Sequence, residues 1–283
     1  MSVPLDRPLA AKSGRVRTAR RLARRSARAE ARLFLAEGAK ALAEAMHSCG
    51  HSPCVAEVFA TEAAGEEYAA LRKAADDAGI PWLTADDGAI AALSGAVTPQ
   101  GIVAVCRFID VSPHEVLTSP VVEAGQGPRV VVICADVRDP GNAGTVIRTA
   151  DAVGARGVVL AGNSVDPYND KTVRATAGSL WHLPLALAAD PVACVRQAQT
   201  AGFVVLAADG GGETDLFEAQ ASGLLDRPVA WLFGNESWGL PEELVTLADH
   251  RVSIPILGRA ESLNLSTAAA VCLYASARAS LSD

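Results

Sequence analysis

Three short stretches of the chain hold polar residues where a ligand could be bound and acted on. In Asn142-Ala-Gly144-Thr-Val-Ile-Arg148 an amide, a glycine and a guanidinium open a helix, just after a strand and the loop Asp136-Val-Arg-Asp-Pro-Gly141. Open α/β sheets bind ligands at such strand-to-helix crossovers, and the helix start favours anions. Gly144 permits close approach of a backbone or ligand. The plainer alternative is that Asn142 caps the helix and Arg148 makes a surface pair. In Phe233-Gly-Asn-Glu236-Ser-Trp-Gly-Leu240 a carboxylate lies between glycines at the end of an apolar strand. A carboxylate there is costly unless it accepts hydrogen bonds or shapes a pocket; a tight turn with a surface Glu is the alternative. The third stretch, Ile254-Pro-Ile-Leu-Gly258-Arg-Ala-Glu-Ser262-Leu-Asn264-Leu-Ser266, gathers three polar residues at a helix start. One or two of them would satisfy the cap. The surplus, after an irregular apolar run, points to a loop that holds a ligand.

The elements that must position these residues alternate in type. A helix over residues 32–46, a strand over 55–60, a charged Ala-rich helix over 65–78 and strands over 80–83 and 101–108 form a small α/β unit. Residues 110–128 contain Pro113, Pro120, Gly125, Gly127 and Pro128 without a sustained period, which makes them a linker. Beyond it, strands are expected over 130–135, 157–160, 203–207, 229–233 and 252–254, and helices over 143–153, 191–201, 242–248 and 266–279. Continuous apolar strands alternating with helices indicate a mostly parallel sheet covered on both faces. The expected division is a basic arm over 1–32, a small domain over 33–109, the linker, and an α/β domain over 129–283.

In order and content the three stretches resemble the signature motifs of the SpoU/TrmH family of RNA 2′-O-ribose methyltransferases, within the SPOUT superfamily. Leu35-Ala-Glu37-Gly38 and Thr98-Pro-Gln100-Gly101 look like the start and end of that family's N-terminal substrate-binding domain. Asp166-Pro-Tyr-Asn-Asp-Lys171-Thr-Val-Arg174-Ala-Thr-Ala-Gly178 is similar to a segment common in its rRNA-modifying branch. The resemblance implies an α/β fold whose C-terminal SPOUT domain carries a deep trefoil knot, preceded by a small L30e-like α/β domain. Periodicity implies no knot, since threaded chains are very rare. It further implies S-adenosylmethionine as cofactor, held by Gly234, Ile254 and Leu263, where backbone amides read the adenine and apolar side chains cover it. Arg148 is then the main catalytic candidate, with Asn142, Glu236, Ser262 and Asn264 shaping the site. A guanidinium stays protonated, so binding a phosphate or a developing oxyanion is an easier role for Arg148 than acting as a base. Large-subunit rRNA is the expected substrate; tRNA, or a non-catalytic role in RNA binding or ribosome assembly, are the alternatives. Homodimers are expected, with the Ala-rich terminal helix available to pack on a partner.

Charge agrees with a polyanionic partner. Residues 1–32 carry ten basic against two acidic side chains, a net +8, which leaves −15 on the rest of a chain of net charge −7. Lys and Arg displace counterions condensed on phosphates; a solvated arm without a specific partner is the alternative. Half of the 283 residues are hydrophobic and only 5% aromatic, so aliphatic residues must build the core. No apolar run nears the ~20 residues of a membrane-spanning helix, and no signal-type stretch follows the basic start. A cytoplasmic protein with six scattered, free, buried cysteines is expected. His47-Ser-Cys49-Gly-His51-Ser-Pro-Cys54 has zinc-ligand types at irregular spacing, and no metal is expected there. Asp209-Gly210-Gly211-Gly212-Glu213 lacks dinucleotide-fold spacing and is expected to be a flexible loop beside the cofactor pocket.

Overall fold

A computed structural model describes residues 7–47, 54–118 and 129–280, and by contacts the chain divides into two units. The first comprises Met1–Ile109 together with Asp166–His182. Its sheet runs β1 (Leu33–Glu37), β4 (Ile102–Arg107), β2 (Val55–Ala60), β3 (Trp82–Thr84); β4 is antiparallel to both neighbours and β2 is parallel to β3. Neighbouring residues of β1 point to opposite faces. Leu35 joins a core with Val16, Leu22, Phe59, Ile90 and Val103. Phe34 instead meets Tyr168 and Trp181, with ring centroids 4.8 and 6.2 Å away, while Tyr168 stacks on Phe108 at 3.9 Å. The aromatic rings thus draw residues 166–182, expected in the second domain, onto the first.

Two further expectations change here. The helix expected over 32–46 is a strand, Leu33–Glu37, followed by the helix Ala39–His47. The turn between them is Gly38, at φ 95, and burial on both strand faces removes the alternation that would have marked a strand. The basic segment is not a separate arm. It folds as the helices Gly14–Arg20 and Arg25–Ala31, and Val16, Ala19 and Leu22 form an apolar stripe within the core.

Arg28 is buried among these helices. Its Nε and Nη2 donate to Asp166 Oδ2 at 2.9 and 2.5 Å, and its Nη1 donates to the carbonyls of Leu22 and Ala23, both at 2.9 Å. Removing one partner strands the other charge, which costs about 3–5 kcal/mol. Arg28→Ala should therefore lower the denaturant midpoint of the first unit's transition by a corresponding amount. A midpoint shift equivalent to under 1 kcal/mol in a urea titration would contradict this reading.

The second unit, Asp110–Val165 with Leu183–Asp283, holds a seven-stranded sheet in which every registered pair is parallel. Its order is β7 (Leu185–Ala188), β6 (Gly157–Ala161), β5 (Val130–Ala135), β10 (Val229–Phe233), β8 (Val204–Ala208), β11 (His250–Ser253), β9 (Thr214–Asp215). All six residues of β5 are buried. Val131, Ile133, Val205 and Leu232 share one face with Val116 and Leu117, from the helix Pro113–Thr118 inside the expected linker. On the other face Trp231 Nε1 donates to Ser276 Oγ of the terminal helix Leu265–Ser280 at 2.9 Å.

Cys106, Cys134, Cys194 and Cys272 are buried and free, and burial pushes the first three thiols up to about 12, beyond nucleophilic use at neutral pH. Cys54 departs from the free-thiol expectation by being disulfide-bonded. Residues 48–53 of the zinc-type stretch lie outside the described residues. Among the described residues no helix is long and apolar enough to cross a membrane, and no group of three or more His, Cys, Asp or Glu could hold a metal.

Candidate active site

The order β7-β6-β5 on one side and β10-β8-β11-β9 on the other reverses the sheet's direction of growth, and ligands bind at the strand C-termini of such a reversal. A cavity of about 310 Å³ opens there, past the ends of β8, β10 and β11. Gly234, Ile254 and Leu263 all line it, as do Glu236 and Ser262. Gly234 is required by space: a Cβ there would lie 2.5 Å from the Leu240 amide nitrogen. The wall is consequently backbone at Gly234, with the apolar side chains of Ile254 and Leu263 and the polar side chains of Glu236 and Ser262 also lining it. That suits a purine read through amides and covered by Ile254 and Leu263, so these residues fit S-adenosylmethionine.

The helix carrying the first motif begins earlier than expected. It spans Pro140–Ala152, with Asp139 as N-cap accepting the Asn142 amide at 2.8 Å and proline at its first position. Freed from capping, the Asn142 side chain does two other things. Its Nδ2 donates to Glu236 Oε1 at 3.2 Å, and its Oδ1 accepts Asn264 Nδ2 at 3.0 Å. Asn264 caps the terminal helix, its Oδ1 accepting the Ser266 amide at 2.9 Å, which leaves Ser262 to face the cavity. Glu236 also accepts the amides of Arg138 and Asp139 at 3.2 and 3.0 Å. One carboxylate–amide–amide chain, Glu236–Asn142–Asn264, therefore ties the loops of all three motifs together.

Arg148 stands apart from this chain. It is exposed, does not line the cavity and has no polar partner among the described residues. Its position in the helix, six residues beyond Asn142, turns it roughly 120° away at 100° per residue.

Burial raises the Glu236 carboxyl, but hydrogen bonds from backbone amides, those of Asp139 and Arg138 among them, and from Asn142 outweigh it and hold the group below the usual carboxylate range. A depressed folded-state pKa contributes stability that is present above the unfolded value, about 4.3, and fades as pH falls through the folded one. Glu236→Gln is thus expected to flatten the acid limb of the second unit's stability curve below about pH 4.3. An acid limb unchanged by the substitution would contradict the hydrogen-bonding account.

Sequence reasoning missed three residues. Asn235 is buried and donates from Nδ2 to the Asp136 carbonyl at 2.7 Å, while its backbone pairs with Gly239. Glu261 and Asp209 add carboxylates to the cavity wall; both stood inside motifs already noted, without a sign that they faced inward. The glycine-rich loop lines the cavity through Asp209 and Gly210, and is pinned rather than loose. A Cβ on Gly212 would meet the Ser253 amide at 2.7 Å, and Ser253 Oγ donates to the Gly212 carbonyl at 3.2 Å. Exposed Trp238 carries the Arg138 guanidinium 5.4 Å from its ring centroid.

Known proteins of this architecture agree with the geometry. Residues 129–274 match the SpoU rRNA Methylase family, and residues 14–104 match the MRM3-like substrate binding domain. A 23S rRNA (guanosine(2553)-2′-O)-methyltransferase of Bacillus subtilis is 30% identical over 268 residues, covering 93% of this chain and 96% of that protein. The AdoMet-bound rRNA methyltransferase from Sinorhizobium meliloti is similar in structure, with a TM-score of 0.80 at 30% identity over 95% of this chain and 96% of that one. The SpoU methyltransferase AviRb from Streptomyces viridochromogenes, in complex with AdoMet, gives 0.79 at 28% identity, with 94% and 98% covered.

Proposed function

On the premise that this chain belongs to the SpoU rRNA methylase family, we propose that it methylates a ribose 2′-hydroxyl of 23S rRNA, using S-adenosylmethionine. The observation that carries this is the hydrogen-bonded chain Glu236–Asn142–Asn264 beside the glycine-walled cavity at the strand ends.

The cofactor, when bound, supplies an electrophilic methyl group. Gly234, Ile254 and Leu263 would hold it, and the polar chain fixes the three loops around it. Alignment matters because a protonated hydroxyl is a poor nucleophile and in-line geometry lowers the barrier. Arg148 binds the phosphate beside the target ribose and stabilises oxyanion character as the hydroxyl loses its proton. Its place outside the cavity of one chain supports a homodimer in which a second copy completes each site. So do exposed apolar residues on the terminal helix and the third motif, Val271, Tyr274, Leu257 and Leu263. The trefoil knot belongs to the same reading, supported by the match of residues 129–274 to the SpoU rRNA Methylase family. Surface arginines 17, 20, 21 and 24 line one shallow cleft of the first unit and supply a phosphate-binding face.

The test is transfer of labelled methyl groups from S-adenosylmethionine to rRNA and to tRNA, each prepared from cells lacking this protein. Incorporation into large-subunit rRNA is expected. Labelling of tRNA alone would move the substrate, and calorimetry without cofactor binding would revive a non-catalytic role.

A further inference from the structure

Three sequence motifs that the methyl-transfer chemistry does not use meet at one cleft in the first unit. Glu37 ends β1, Gly38 makes the turn after it and Lys40 lies in the helix Ala39–His47, while Thr98 and Gln100 come from the loop before β4 and Arg174 from the helix Asp170–Thr176. The cleft measures about 270 Å³, just under the ~300 Å³ at which drug-sized sites begin. Its turn is built by Gly38, at φ 95, where a Cβ would lie 2.7 Å from Gln100 Oε1. That close pass brings the loop against the strand.

Two atoms in the wall form an ion pair with each other but lack hydrogen bonds. The Glu37 side chain is 10% exposed. Its Oε1 accepts Ser94 Oγ at 2.5 Å, but its Oε2 is buried without any hydrogen bond. Arg174 Nη1 is likewise buried without a hydrogen bond; it forms an ion pair with Oε2 at 3.5 Å, outside hydrogen-bonding geometry, while its Nη2 donates to Asp170 at 3.1 Å. Their long ion pair leaves each buried group without a hydrogen bond, a desolvation cost that a ligand hydrogen-bonding to both would relieve. Such a ligand presents donors to a carboxylate and, beside them, an acceptor to a guanidinium.

The geometry points to an unpaired guanine base of an RNA strand as that ligand, a reading that rests on the RNA substrate proposed above. Guanine's Watson–Crick edge has two adjacent donors, N1–H and the 2-amino group, followed by the O6 acceptor. Glu37 takes the donors and Arg174 takes O6. Adenine, cytosine and uracil each offer a single donor position on that edge, so none satisfies a carboxylate in the same way. Proteins read single-stranded RNA by hydrogen bonds to the edges of splayed-out bases. Lys40, exposed at the rim, contacts the adjoining phosphate without regard to base.

The experiment measures binding of the full-length protein to labelled oligouridylate RNAs that carry one central guanine, inosine or adenine, by fluorescence anisotropy. Guanine is expected to bind about tenfold more tightly than adenine, the size of one bidentate base contact. Inosine, lacking the 2-amino group, should fall between them. Glu37→Gln should abolish the preference, with S-adenosylmethionine affinity serving as a check on the second unit. Arg174→Lys is the second variant, and should weaken guanine and inosine together while sparing adenine. Lys40→Gln should weaken all three RNAs alike. Equal affinities for the three RNAs, or a guanine preference that survives both variants at the carboxylate–guanidinium pair, overturns the inference. So does displacement of the RNA by an equal concentration of free guanosine monophosphate, which would make the free nucleotide the ligand. Binding to none of these RNAs overturns it too, whereas the methyl-transfer assay decides the reading of function independently.

Discussion

Replacing Arg148 with alanine is expected to slow methyl transfer by about 10²–10³-fold, the usual loss when a donor to developing negative charge is removed. Cofactor affinity should stay within about twofold, a change of only ~0.4 kcal/mol. The split follows from position: Arg148 lies outside the cavity formed by Gly234, Ile254 and Leu263 and makes no polar contact among the described residues. Its removal therefore disturbs neither the fold nor the cofactor's contacts. Lysine should rescue only partly, because it presents a point charge in place of a planar fork. Single-turnover rates with saturating cofactor, paired with calorimetry, check the prediction. Near-normal transfer by the alanine variant would remove Arg148 from the mechanism.

Gly234→Ala should act on the opposite limb. The new Cβ would lie 2.5 Å from both the Gly239 carbonyl oxygen and the Leu240 nitrogen. Both are backbone atoms, so no flexible side chain can swing aside. Overpacking of this kind costs about 1–3 kcal/mol. If the loop relaxes into the cavity, that corresponds to roughly 5- to 150-fold weaker S-adenosylmethionine binding. The loop also carries Asn235, whose pairing with Gly239 and bond to the Asp136 carbonyl hold it in register. A drop in melting temperature should therefore accompany the loss of affinity. Unchanged affinity would mean that the glycine serves only the turn.

What could be read from residues in order was the chemistry at the strand ends. Glu236 after β10 and the polar cluster before the terminal helix stand out because one element ends there and another has not begun. The bonds that join them could not be read. Asn142 reaches Glu236 across 94 positions and Asn264 across 122, and only the parallel sheet brings those loops together. The parallel sheet was legible because β5, β6 and β10 are apolar throughout. Four-residue β7 and the helix Asp170–Thr176 were not, being too short to show a period. The basic segment misled for a different reason. Its arginines surround Val16, Ala19 and Leu22, and charge hid the apolar stripe that docks it in the core.

Whether this protein methylates a ribose of large-subunit rRNA is decided by mapping ribose methyl groups in that RNA from cells with and without it. One 2′-O-methylated nucleotide should be present in the first and missing from the second, restored by the wild-type gene and not by Arg148→Ala. Identical 2′-O-methyl maps from the two strains would contradict the proposed activity.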